Sequence, residues 1–427
     1  MSVNATAPKI IVFKPTGERA LAFSSRAWEN PLAEGKRARI KTIAAHAGMH
    51  AARELNAASM PIFTTSTSPA PSAEELGARF QDYPAARSGL IYSRLGNPTT
   101  YALETALAEM SGCENAMVFG SGMAAISHAV LLLAEAGSNI VSHKTVYGCT
   151  DDLLTHQLPG LGIETRFADL RDPQMLKQAI DSGTRLVFLE TPSNPSLDLI
   201  NIRRVAEIAN GRCPIIVDNT FASPMGQNPF DFGADVVIYS MTKSIGGHTN
   251  AIGGAVLGSN ALLQYLFSTR NDFGGMLSPR EADAFLNGMK TLPVRYAQME
   301  ENAKVLAQLL TWSPQIQSVH YPLLDPSYPL GGQMKGPGYM IAFILKKGLE
   351  GGKTLINSLQ LITNAVSLGS VESLICHPAS TTHGRIPPEE RQAKGIDDGL
   401  IRLSVGTEDV HDLSEDLKQA LAKVGQL

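Results

Sequence analysis

The chain has 427 residues, 44% of them hydrophobic and 18% charged, with a formal net charge of −4. That supplies a large core and more than one domain, while so mild a charge argues against a partner held by basic surface, nucleic acid or anionic membrane alike. No apolar run reaches the roughly 20 residues that a bilayer demands, and four scattered cysteines without a C-x-x-C argue against a zinc knuckle and for a reducing compartment, which makes the cytoplasm the expected location.

In chain order, the first 38 or so residues read as an irregular arm. They lack the apolar stretch of a secretory signal and contain Glu18, Glu29 and Glu34, which a transit peptide avoids. From about residue 100 to 260 short β-rich runs alternate with helical periods. The runs are NAMVF (115–119), NIVSH (139–143), TRLVFLE (184–190), CPIIVD (213–218) and ADVVIYS (234–240), with helix-spaced stretches such as MAAISHAVLLLAEAG and DPQMLKQAIDSG between them. Such alternation implies a mostly parallel sheet covered on both faces, with ligands bound at the carboxyl ends of its strands. Beyond about residue 290 a helical stretch (RYAQMEENAKVLAQLL), a Pro/Gly-rich passage, the runs GYMIAFIL and LIRLSVG, and a last helix (DVHDLSEDLKQALAKV) read as a smaller α+β domain. The expected division is 1–96, arm and intersubunit segment; 97–290, large cofactor domain; 291–427, small domain.

The residues just after each run carry the chemistry. FGSGMAAIS fits G-x-G-x-x-A between a strand and a helix, but the next strand ends in Ser142-His143-Lys144 rather than the acid that a dinucleotide's ribose requires, so the dinucleotide reading lacks its second half. What remains is a turn that offers helix N-terminal N–H groups to an anion, or a tight turn with no ligand. CPIIVDNTF ends in Asp218, which would pair a protonated ring nitrogen or cap a helix. Asn194 stands in a Pro-bounded loop, as a ligand or an ordinary turn asparagine. Tyr147 can stack on a flat ring or sit at the core edge, and Cys149 can equally be a small buried hydrophobe. Lys243 follows Ser240 and Thr242 and precedes a glycine run. His377 and His383 in HPASTTH offer two imidazoles without a third ligand nearby, so no metal is expected. Anion turn, aspartate, asparagine, tyrosine, hydroxyls and lysine at one sheet edge together match pyridoxal 5'-phosphate. Its phosphate takes N–H and hydroxyl donors, its ring nitrogen an aspartate and its aldehyde a lysine amine as a Schiff base.

From about residue 40 onward the sequence resembles the Cys/Met-metabolism group of pyridoxal-phosphate enzymes: cystathionine γ-synthases and γ-lyases, methionine γ-lyases and O-acyl-homoserine sulfhydrylases. The likeness rests on YSRLGNPT (92–99), SGMAAI (121–126), YGCT (147–150), ETPSNP (190–195), VDNT (217–220), SMTKSIGGH (240–248), AVSLGS (365–370), HPASTTH (377–383) and IRLSVGTED (401–409). It implies a fold-type I enzyme in which Lys243 carries the cofactor and Asp218 faces the ring nitrogen. Gly122, Met123, Ser240 and Thr242 would hold the phosphate, Tyr147 would stack on the ring and donate a proton, and Asn194 would sit near the ring hydroxyl. Tyr92 and Arg94 would reach the phosphate of a neighbouring subunit, so that the protein is at least a homodimer and in this family usually a homotetramer. Arg402 would clamp the α-carboxylate of a small amino-acid substrate with Ser367 beside it. Arg402 also alternates with apolar Ile401 and Leu403, which turns it away from them, and its planar fork suits a carboxylate. Cys149 in YGCT is closest to methionine γ-lyases, which implies a carbon–sulfur lyase working by γ-elimination; a γ-replacement transferase is the alternative. Two positions depart from the pattern: Asn271, expected near the substrate side chain, where those lyases carry lysine, and Asn250, where the family has an acid.

Overall fold

A computed structural model describes residues 38–81, 90–384, 387–393 and 395–427. The irregular arm expected over the first 38 residues lies almost wholly outside them. Seven strands form the larger sheet: β1 (Asn115–Phe119), β2 (Asn139–His143), β3 (Glu164–Ala168), β4 (Thr184–Glu190), β5 (Ile215–Asp218), β6 (Val236–Ser240) and β7 (Gly254–Gly258), in the order β1-β7-β6-β5-β4-β2-β3. Neighbours from β3 across to β6 are parallel, and β7 runs antiparallel between β6 and β1.

Burial on both faces explains the unbroken apolar runs. In β4, Leu186 and Phe188 join one core with Ile126 and Val130 of the helix Gly122–Leu133, while Val187 and Leu189 join the other with Leu103 and Leu107 of the helix Pro98–Ser111. The period of two inside the run assigns alternate residues to opposite layers. Two strands depart from the expected set. β3 is an edge strand, exposed at Glu164 and Phe167, so its polar composition hid it. The glycine run after Lys243 passes directly into the fully buried β7.

A second sheet holds β8 (Ile316–His320), β9 (Met340–Leu345), β10 (Thr363–Asn364), β11 (Leu374–Cys376) and β12 (Leu400–Ser404), ordered β10-β11-β12-β9-β8. Ile341, Phe343, Ile401 and Leu403 pack there on Leu413 and Leu417 of the helix Val410–Gly425. The helix Pro279–Thr311 joins both units: Phe285 and Met289 lie in the larger core, Ala303 and Leu306 in the smaller. The boundary expected at 290/291 therefore falls inside one continuous helix. Among the described residues no helix is long and apolar enough to cross a membrane.

Candidate active site

β1, β2, β4, β5 and β6 all end at one edge of the larger sheet, where Asn194 and Lys243, which follow β4 and β6, bond Arg402 of β12 and Ser367 from the smaller unit. Lys243 follows β6 by three residues. Its Nζ donates to Ser367 Oγ at 2.8 Å. Ser367 holds the left-handed φ of 92°, which is strained for a residue with a Cβ, and two contacts fix it: the lysine on its hydroxyl and Arg402 on its carbonyl, at 2.8 Å. Arg402 is buried; Ile401 and Leu403 point into the core, and its fork also donates to Asn194 Oδ1 at 3.0 Å. Burial, then the charge of Arg402, lowers Lys243 to about 8, with Asp218 acting in the opposite direction.

Asp218 ends β5, half-buried, and accepts from the Thr220 N–H at 3.0 Å. Desolvation raises its carboxyl, and Thr220 and Lys243 pull it back. Directly across the ladder stands Glu190, the last residue of β4. Its place inside ETPSNP carries no local signal of a role. It is buried, and its Oε1 accepts from the Tyr147 N–H at 2.9 Å. Tyr147 itself is 39% exposed. Its hydroxyl accepts from the Cys149 thiol at 3.4 Å, and burial followed by Cys149 raises it to about 12. Tyr147 is therefore a phenol, not a phenolate, at neutral pH. Cys149 is exposed rather than a buried hydrophobe.

The anion turn is built by close approach. Ser121 caps the helix Gly122–Leu133 by accepting from the Ala124 N–H at 3.0 Å. A Cβ on Gly122 would stand 2.8 Å from Ser240 Cβ and 2.9 Å from its Oγ. The helix N-terminus and the Ser240 hydroxyl thus share one cradle that only glycine leaves open. Met123 packs behind it, its sulfur taking a contact from the Thr150 hydroxyl at 3.8 Å. Thr242 is engaged locally: its hydroxyl accepts from the Gly253 N–H at 3.0 Å and lies 3.3 Å from the Gly253 carbonyl, which its proton must leave in order to face a phosphate.

Tyr92 and Arg94 stand apart from this cluster. Tyr92 is 44% exposed, and Arg94 donates to the carbonyl of Asn271 at 2.6 Å. Asn271 is buried within the helix Asn260–Phe273, so within this chain that departure is joined to Arg94, and Asn250 is exposed. His377 bonds Ser380 and the Asp398 carbonyl, while His383 lies 3.6 Å from where a Gly148 Cβ would be. A further residue that sequence reasoning passed over is Arg295. It donates to Ser244 O at 2.9 Å, Ile245 O at 3.4 Å and Gly288 O at 2.7 Å, which fixes the backbone after Lys243.

A cradle open only beside glycine, a carboxylate at a strand end and a lysine lowered toward neutral pH fit the phosphate, ring nitrogen and aldehyde of pyridoxal phosphate. With the doubly covered sheet they define a fold-type I pyridoxal-phosphate enzyme. The chain belongs to the family described as Cys/Met metabolism PLP-dependent enzyme, whose model matches residues 41–422. It is 45% identical over 372 residues to the L-methionine gamma-lyase of Treponema denticola, which covers 85% of this chain and 92% of that one. It is 39% identical over 389 residues to the cystathionine gamma-lyase of Bacillus subtilis, covering 90% and 99%. Among solved structures, a cystathionine gamma synthase from Xanthomonas oryzae pv. oryzae in complex with cystathionine aligns with a TM-score of 0.85 at 36% identity, covering 92% of this chain and all of that one.

Proposed function

We propose that the protein carries out γ-elimination on L-methionine or a closely related γ-substituted L-amino acid, adding water and releasing a thiol, ammonia and a 2-oxo acid. The observation that carries this reading is the Tyr147 hydroxyl held against the Cys149 thiol at 3.4 Å, in a chain 45% identical to an L-methionine gamma-lyase. Pyridoxal phosphate, when bound, supplies an electron sink for carbanion chemistry next to the amino group. Gly122 and Met123 N–H groups with the Ser240 and Thr242 hydroxyls would hold its phosphate, Asp218 its ring nitrogen and Lys243 its aldehyde carbon. Tyr147 and Asn194 would hold the ring, with Arg402 bonded to the Asn194 amide oxygen.

Arg402 takes the substrate carboxylate in two parallel bonds by giving up the Ser367 carbonyl. Lys243, lowered to about 8, is partly neutral at physiological pH and removes the proton from Cα. Tyr147, raised to about 12, keeps its proton until the γ-sulfur departs and donates it there. Tyr92 and Arg94 reach a neighbouring subunit's phosphate, in a homodimer that pairs into a homotetramer, and the enzyme works in the cytoplasm, where thiols such as the buried Cys213 and Cys376 stay reduced.

The test incubates the holoenzyme with L-methionine, cystathionine or O-acetylhomoserine, with and without sulfide, and measures 2-oxobutyrate. Elimination predicts 2-oxobutyrate from methionine without sulfide. Production of homocysteine from O-acetylhomoserine and sulfide, with no 2-oxobutyrate from any of the three, would replace this reading with γ-replacement.

A further inference from the structure

Glu190 ends β4 in the row that holds Asp218, its partner across the parallel ladder. It is 5% exposed, so its carboxyl faces protein. That carboxyl takes the Tyr147 N–H at 2.9 Å, and the backbone N–H of Asn194, four residues on, favours its charged form. One side chain therefore ties the end of β4 to the start of the loop that carries Tyr147 and, two residues on, Cys149. Asn194 follows in the turn after β4, and its side-chain oxygen holds Arg402 at 3.0 Å. No other acid at this edge is so placed among the described contacts: Asp218 is satisfied within its own turn by Thr220.

The electrostatics restrict what Glu190 can be. Asp218 has to be ionised to hold a protonated ring nitrogen. A second full charge in the adjacent position of the same buried row would repel it in a medium that screens poorly. The groups that face this pair are Tyr147 from the loop after β2, which is a phenol, Lys243, whose charge acts on Asp218, and Arg402, whose charge acts on Tyr147 and Lys243. Desolvation and then Asp218 drive the Glu190 carboxyl well above its usual value, against the two N–H donors.

We propose that Glu190 is a positioning residue of the active site: standing as a neutral carboxylic acid beside the ionised Asp218, it pins the backbone of Tyr147 and so aligns the proton donor on the bound cofactor. The proposal rests on the cofactor reading of the Lys243–Asp218 pocket. It differs from a packing role because only the accepting carbonyl, and not a negative charge, is required.

Two substitutions test it. Glu190→Gln keeps a neutral carbonyl acceptor and is expected to hold kcat and KM within about threefold of wild type, whereas Glu190→Ala frees the Tyr147 loop and is expected to lower kcat at least about tenfold with a smaller change in KM. The readout independent of turnover is melting of the cofactor-free proteins between pH 5 and 8. A carboxyl whose folded value lies above its unfolded one makes folding less favourable as pH rises through that interval, because only the unfolded chain then releases the proton. Wild type should therefore lose folding equilibrium relative to Glu190→Gln by up to about tenfold per pH unit. A difference between the two that stays flat with pH, or a Glu190→Gln as impaired as Glu190→Ala, would overturn the neutral acid. A Glu190→Ala that melts lower yet keeps wild-type kcat and KM would reduce Glu190 to packing. Should Glu190→Ala not fold, Glu190→Gln and the melting series decide alone. A wild-type protein that acquires no visible absorbance with pyridoxal phosphate would instead sink the cofactor reading, and the melting series would still judge the protonation of Glu190.

Discussion

The amine of Lys243 sits among groups that pull its proton in opposite directions. Burial and Arg402 favour the neutral form, Asp218 favours the ammonium, and the balance falls at about 8 against an ordinary 10.5. Only the neutral amine is a nucleophile, so protein stripped of cofactor should recapture added pyridoxal phosphate faster as pH rises, with a midpoint near 8; following the return of visible absorbance checks this, and a midpoint near the ordinary lysine value would refute it. Arg402 works by geometry as much as by charge, since one fork reaches Asn194 Oδ1 and the Ser367 carbonyl at once. Arg402→Lys keeps the charge and loses the fork. Steady-state kinetics should show kcat/KM lower by roughly 10- to 100-fold, mostly through KM, the loss of one or more charged hydrogen bonds of about 1.5–3 kcal/mol. Arg402 was legible in the sequence because alternation with Ile401 and Leu403 turned it off the core face. Glu190 was not, because an acid whose hydrogen-bond partner is a backbone N–H 43 residues earlier in the chain leaves no local spacing.

The elements around the lysine are held by near-contact of backbone. The helix Pro279–Thr311 crosses the turn after Lys243 at Gly288, where an added Cβ would stand 2.4 Å from Gly246 O and 2.5 Å from Ile245 O. Neither carbonyl can swing aside as a side chain would. Gly288→Ala must push helix and turn apart, also stretching the Arg295 bonds to Ser244 and Ile245. The expected cost is about 1–3 kcal/mol of stability, with weaker retention of cofactor; thermal melting and cofactor release on dialysis measure the two. Only the second half of this helix was legible, because Gly288 and Pro293 punctuate its first half as a turn would. β7 was hidden for a related reason. The glycine run after Lys243 breaks its pattern, whereas the last of that run, Gly254, is in the strand itself and lies so close to Ser121 that a Cβ there would overlap the Ser121 carbonyl. The parallel strands, by contrast, announced themselves, since burial on both faces demands continuous apolar runs.

At the scale of the molecule, the site draws Lys243, Asp218, Tyr147 and Asn194 from the larger sheet and Ser367 and Arg402 from the smaller unit, within one chain. Tyr92 and Arg94 are the exception. Nothing in hydrophobic pattern shows that a residue serves another copy, and only resemblance to the family assigned them to the phosphate of a neighbour. Their setting suits that role: Tyr92 is 44% exposed, and Arg94 is braced by the Asn271 carbonyl at the C-terminal end of a helix, where a cation is favoured. If each site is completed in trans, two different inactive proteins should repair each other. Lys243→Ala removes the amine from its own site but still lends an intact Arg94. Arg94→Ala spoils the partner's site but keeps its own lysine. Unfolding an equal mixture and refolding it with cofactor gives mixed pairs in half the cases, each with one intact site of two. Recovered turnover should thus approach about a quarter of the wild-type value at equal total protein, whereas each variant refolded alone stays inactive. Arg94 acting only within its own chain would leave every mixed pair without an intact site beyond what Arg94→Ala alone provides, and mixing would then restore nothing.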